Sequence, residues 1–159
     1  MQVHAQQSTF TVYELLKLLH LAAAVIWLGG MAFVLIALRP VAIVQLPPPA
    51  RLKLLAAVMG RFFIAVWVSI GTLLLTGGTM LASVNMAQAP LGVHLMLAIA
   101  VLMIVVFTWL YSAPYQRLLT AVGADDWPQA GRQMARIHPL VVLNFVLGCL
   151  AVVAVYLLR

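Results

Sequence analysis

Two histidines carry the most chemistry for their positions. His20 lies two residues inside an apolar run at Leu18–Leu38, and His94 three residues inside another at Leu91–Ala113. A neutral imidazole binds iron, copper or zinc through one ring nitrogen. Two imidazoles facing each other can ligate a haem iron from both sides. Residues of suitable type surround His20. Trp27 follows it by seven residues and Lys17 precedes it by three, so all three share one helix face. Trp27 is placed to line a flat ring, and Lys17 to pair with a haem propionate. Ala22, Ala23, Ala24, Gly29 and Gly30 are small enough for a helix or flat ligand to approach closely. A second donor set is sulfur. Met80, Met86 and Met96 cluster near His94 in sequence, and thioether with imidazole suits copper. Met is also ordinary filler in apolar helices.

The elements that must position these groups follow from the composition. The 159 residues are 65% hydrophobic and 8% charged, with mean hydropathy +1.13. Soluble domains carry about 25% charged residues, so this much apolar surface points to lipid. Leu18–Leu38, Phe62–Val84, Leu91–Ala113 and Leu140–Leu158 contain no Asp, Glu, Lys or Arg over 21, 23, 23 and 19 residues. A helix crosses the hydrocarbon layer with roughly 20 apolar residues, and backbone groups in lipid must pair within the segment. The expectation is an all-α, integral membrane four-helix bundle in one domain, 1–159. Its spans are expected at about 12–38, 58–84, 91–114 and 138–158. The eight prolines lie outside the apolar runs, with Pro40, Pro90, Pro114 and Pro139 at their edges. That reads as helix boundaries. Thr11 and Glu14 have capping-box spacing, which starts the first helix there. Pro47-Pro48-Pro49 precedes an amphipathic lead-in over 50–61. Asp126 before Pro128 caps a short helix reaching about Ile137. The short Asn85–Pro90 loop makes helices two and three antiparallel neighbours.

Charge orients the spans. Arg39, Arg51, Lys53 and Arg61 lie between spans one and two, and Arg117, Arg132 and Arg136 between spans three and four. The positive-inside rule makes those loops cytoplasmic, so both termini lie outside. His20 and His94 then enter from the outer face at matched depth, and His138 lies at the opposite face. Asn144 is expected to donate a hydrogen bond between helices, and Ser69, Thr72 and Thr76 to bond back to their own helix. The first apolar run is too long for a cleaved signal, and Cys149 can form no internal disulfide. There is no Ser-His-Asp set, C-x-x-C, H-E-x-x-H or glycine-rich phosphate loop. Nucleic acid is not an expected partner, since no basic patch is interleaved with aromatics.

Several stretches resemble one family. Leu19-His20 through Trp27-Leu28-Gly29-Gly30 to Leu38-Arg39-Pro40 resembles the opening of the copper-resistance D (CopD) family of bacterial membrane proteins. The similarity extends to Arg61-Phe62-Phe63, Val93-His94-Leu95-Met96, Ala113-Pro114-Tyr115, Asp126-Trp127-Pro128, and Asn144 with Leu147-Gly148. It matches the short, single-domain form. Lys17-x-x-His20 with Trp27, and His94 opening helix three, is also similar to the HemJ type of protoporphyrinogen oxidase, which binds haem b. That type has a Tyr-Leu-Pro-Arg-like stretch where this chain has Val34 through Leu38 before Arg39-Pro40, so a HemJ-like oxidation of protoporphyrinogen stands only as a further alternative. The leading expectation is an inner-membrane protein holding one haem b on His20 and His94 near the periplasmic side. Its work would be electron transfer or membrane redox, with a redox partner protein or a quinone; homo-oligomers are compatible with its apolar faces. The alternative is copper binding or transport through His20, His94 and Met80, Met86 or Met96.

Overall fold

The computed structural model describes residues 2–82 and 89–158, with residues 2–11 as backbone alone. Four rods form it. The first is α1 (Gln2–Phe33), which passes through a wide π turn at Val34–Leu38 into α2 (Arg39–Gln45). The second is α3 (Pro48–Ala82). The third is α4 (Leu91–Leu110), which passes through a second π turn at Tyr111–Tyr115 into α5 (Gln116–Gly123). The fourth is α6 (Trp127–Leu157). No strand occurs among the described residues. All four rods are long and apolar enough to cross a membrane. The 34 residues of Val12–Gln45 make roughly 50 Å of helix, so the rods outrun a hydrocarbon layer of about 30 Å.

Of the four edge prolines, Pro90 marks a boundary, as the N-cap of α4, and the other three do not. Pro40 and Pro114 sit within continuous rods, at or just after the π turns. Pro139 lies inside α6, so the short helix and fourth span expected as separate elements are one helix. A proline interrupts a helix by displacing the carbonyl four residues back. A π turn absorbs that displacement by widening the backbone locally. In the third rod the Gln116 side chain donates to the Tyr111 carbonyl at 3.3 Å, and Ser112 to the Trp109 carbonyl at 3.4 Å. The first helix begins at Gln2, well before Thr11. Glu14 is therefore interior, and it pairs with Lys17 at 3.2 Å instead of capping. Other local expectations match. α3 starts within the triple proline. Asp126 caps α6 by accepting from the Gln129 amide at 2.9 Å, the usual role of Asp at that position.

The packing is two hairpins. α1 lies along α3, and α4 along α6. Close approach depends on glycine. A Cβ on Gly30 would collide with the Phe62 ring, and one on Gly92 would stand 2.6 Å from the Ala154 carbonyl oxygen. The second and third rods, expected as close neighbours, meet chiefly through large side chains. Phe63 makes edge contacts with Phe107, Tyr111 and Tyr115 at ring distances of 5.4, 6.1 and 4.8 Å, and Trp67 meets Phe107 at 5.3 Å. Such pairs add about 0.5–1.5 kcal/mol each beyond burial. This aromatic core, with Val66, Leu118, Ala130 and Ile137 fully buried, fills the half of the bundle that carries the basic segments. The other half is less filled.

Candidate functional site

In that other half the helices enclose a cavity of about 290 Å³. α1 supplies Lys17, His20, Ala24 and Trp27 to its wall, at the spacing of one helix stripe. α3 supplies Leu73 and Met80, and α4 supplies Met96, Ala100 and Met103. α6 closes it with Gly148, Ala151, Val152 and Val155. No carboxylate among the described residues lines it. Its size is close to the lower end of ligand sites, which run about 300–1,000 Å³.

His20 is held in a defined state. Its Nδ1 stands 2.8 Å from the Thr76 hydroxyl. Thr76 has one hydroxyl proton and donates it to the Thr72 carbonyl at 2.6 Å. The Thr76 oxygen is therefore the acceptor, and His20 Nδ1 carries the proton. Nε2 is left with its lone pair, the form that binds a metal. A hydrogen bond to the far nitrogen also fixes ring orientation, as around metal-bound histidines generally. Gly77 makes room for the ring, since a Cβ there would lie 3.2 Å from His20 Cε1.

The structure brings together Lys17, His20, Trp27, Met80 and Met96 of the residues expected at the site. His94 is not among the lining residues. It is exposed on the first turn of α4, and its Nδ1 donates to the Pro90 carbonyl at 3.2 Å. Two residues on a helix are about 200° apart. With Met96, Ala100 and Met103 facing the cavity, His94 faces elsewhere. Met86 lies outside the described residues. Lys17 is half-exposed, its ammonium 3.2 Å from Glu14 and 4.5 Å from the Tyr13 ring centroid.

The lining residue Met103, and Thr76 as the partner of His20, were not singled out in the sequence. Met103 lies seven residues after Met96 and is buried, and that spacing was available as a signal. Thr76 was expected to bond only to its own helix, and nothing in the sequence pairs it with His20. Asn144 behaves as expected, donating to the Met103 carbonyl at 3.2 Å from α6. Its own carbonyl oxygen is buried with no partner among the described residues. No cluster of three or more His, Cys, Asp or Glu occurs among them either. Any metal held here would rely on one imidazole and on thioethers.

A family model described as Copper resistance protein D matches residues 56–158. Met80, Met96, Met103 and Asn144 fall inside the matched stretch, while Lys17, His20 and Trp27 precede it. No curated protein and no solved structure matches the chain.

Proposed function

The chain belongs to the copper resistance protein D family of membrane proteins, and from that premise we propose that it binds copper(I) in the cavity between its four helices. The observation carrying this reading is the donor set around one cavity: His20, bonded through Nδ1 to Thr76, on α1, and the thioethers of Met80, Met96 and Met103 on α3 and α4. Soft thioethers select copper(I), and imidazole accepts it too. All four donors are neutral. A monovalent ion is the charge such a wall can compensate most readily, because desolvation costs rise steeply with charge. Thr76 holds the imidazole in a wall that is otherwise mostly apolar. Glu14 draws Lys17 towards the solvent side and offsets its charge.

The basic segments support an orientation with both termini on the outer face of a bacterial inner membrane. The cavity then opens in the outer half of the bilayer. The test is copper content of detergent-purified protein loaded under reducing conditions. Wild type should retain copper and His20→Ala should lose it. Equal copper in both would exclude this site.

A second reading is favoured by the stripe of Lys17, His20 and Trp27 on one cavity wall. It is a haem b with His20 as an axial ligand and Trp27 against the ring, serving membrane electron transfer. His94 lies off the cavity, so ligation by both histidines finds no support. A visible spectrum decides between the readings: haem gives a Soret band, copper(I) none.

A further inference from the structure

The cavity around His20 has an entrance from the side. Leu21 of α1 and Val152 of α6 belong to its lining, yet they are 62% and 58% exposed. A residue that is both wall and outer surface marks a rim. The two lie on one seam. Leu28 follows Leu21 by seven residues and so shares its face of α1. Leu28 packs on Gly148 of α6, where an added Cβ would collide with its side chain. Val152 is one turn beyond Gly148 on the same face of α6. The seam between α1 and α6 is therefore closed at Leu28 and Gly148 and open beyond them, at Leu21, Val152 and Val155. Leu21 and Val152 lie within the charge-free runs Leu18–Leu38 and Leu140–Leu158. In a membrane-spanning bundle that opening faces hydrocarbon.

We propose that one acyl chain of a membrane phospholipid enters through this seam and fills the α1–α6 side of the cavity. Three observations select that occupant. The first is the wall. Leu21, Ala24, Leu28, Ala151, Val152 and Val155 offer a guest apolar contacts alone. A buried water needs about two to four polar partners, and unfilled apolar walls forfeit dispersion contacts. Hydrocarbon restores those contacts. The second is length. Lys17 and Trp27 stand at the two ends of the α1 wall, and their spacing in sequence makes about 15 Å of helix. That is half of a hydrocarbon layer of about 30 Å, the reach of one leaflet's chains. The third is the mouth. Lys17 stands one turn outside Leu21. Its ammonium meets Glu14 at 3.2 Å and has further donors for the oxygens of a phosphate. The donors of the metal reading lie on the other side of the cavity. Met80 is on α3, Met96 and Met103 are on α4, and His20 is turned to Thr76 of α3. Chain and ion take different sides, so the side entrance stands whether or not copper(I) binds.

The test reads Trp27, which lines the cavity and is 4% exposed. Bromine atoms on an acyl chain quench a tryptophan that they touch. The full chain carrying Trp67→Phe, Trp109→Phe and Trp127→Phe keeps Trp27 as its one tryptophan. It is reconstituted in phosphatidylcholine vesicles whose chains are either brominated at mid-chain or plain. Trp27 emission should fall in the brominated vesicles. Ala24→Leu or Ala151→Leu, which fill the path of the chain from α1 or from α6, should restore it. The quenching of wild type beyond that of Trp27→Phe reads the same ring with the other three tryptophans in place, should the triple variant not fold. Equal Trp27 emission in the two kinds of vesicle would overturn the proposal. Quenching that neither filling variant relieves would overturn it too, since lipid outside the bundle would then be its source.

Discussion

His20 takes its character from Thr76. The hydroxyl accepts from Nδ1 because its own proton is committed to the Thr72 carbonyl. Thr76→Val should therefore leave the fold intact and free the ring to change tautomer and turn. Loss of such an outer partner typically weakens metal affinity about 10–100-fold, and a copper(I) competition titration should show a drop of that order. His94→Ala should leave bound copper unchanged, since His94 bonds to the Pro90 carbonyl and is not among the residues lining the cavity. The sequence made His20 and His94 look like partners because both sit at similar depth in parallel spans. Depth is legible from residue counts. Rotation about the helix is legible only once a facing residue is known, and Met96 with Met103 supplied it.

The helices carry a second lesson. Their existence follows from apolar run lengths, and four helices long and apolar enough to cross a membrane formed. Pro90 marked the start of α4, but three other edge prolines marked no end, because the π turns at Val34–Leu38 and Tyr111–Tyr115 carried two of the rods past Pro40 and Pro114 and α6 ran straight through Pro139. Sequence spacing does not reveal a turn widened by one residue. Glycine contacts give a test at this scale. A Cβ on Gly92 would stand 2.6 Å from the Ala154 oxygen and 3.1 Å from Val155 Cα, both backbone atoms that cannot swing aside. Gly92→Ala should destabilise the α4–α6 hairpin by about 1–3 kcal/mol, the usual cost of overpacking. Gly29 has nothing within 4 Å of such a Cβ. Gly29→Ala should be neutral or stabilising by up to about 1 kcal/mol, since glycine is a poor helix former. Thermal unfolding in one detergent, run on both variants, checks the pair.

At the scale of the molecule, packing and charge divide the bundle into two halves. The half with the basic segments is filled by the Phe63, Phe107 and Tyr115 core and by Leu118, Ala130 and Ile137. The other half is hollow around His20. In the proposed orientation the filled half faces the cytoplasm. Single cysteines introduced near either terminus in a Cys149→Ala background should react with an impermeant thiol reagent added outside intact cells. A cysteine at Ala124 should react only after permeabilisation, and the reverse pattern would invert the bundle.

The central claim is that the hollow half binds copper(I) through His20 and its methionine neighbours. Metal content of the reduced, purified protein, measured together with its visible spectrum, tests it most directly. The account predicts bound copper in wild type, its loss at the cavity in His20→Ala, retention in His94→Ala, and no Soret band. A Soret band lost in His20→Ala, with no copper bound, would contradict it and assign the cavity to haem.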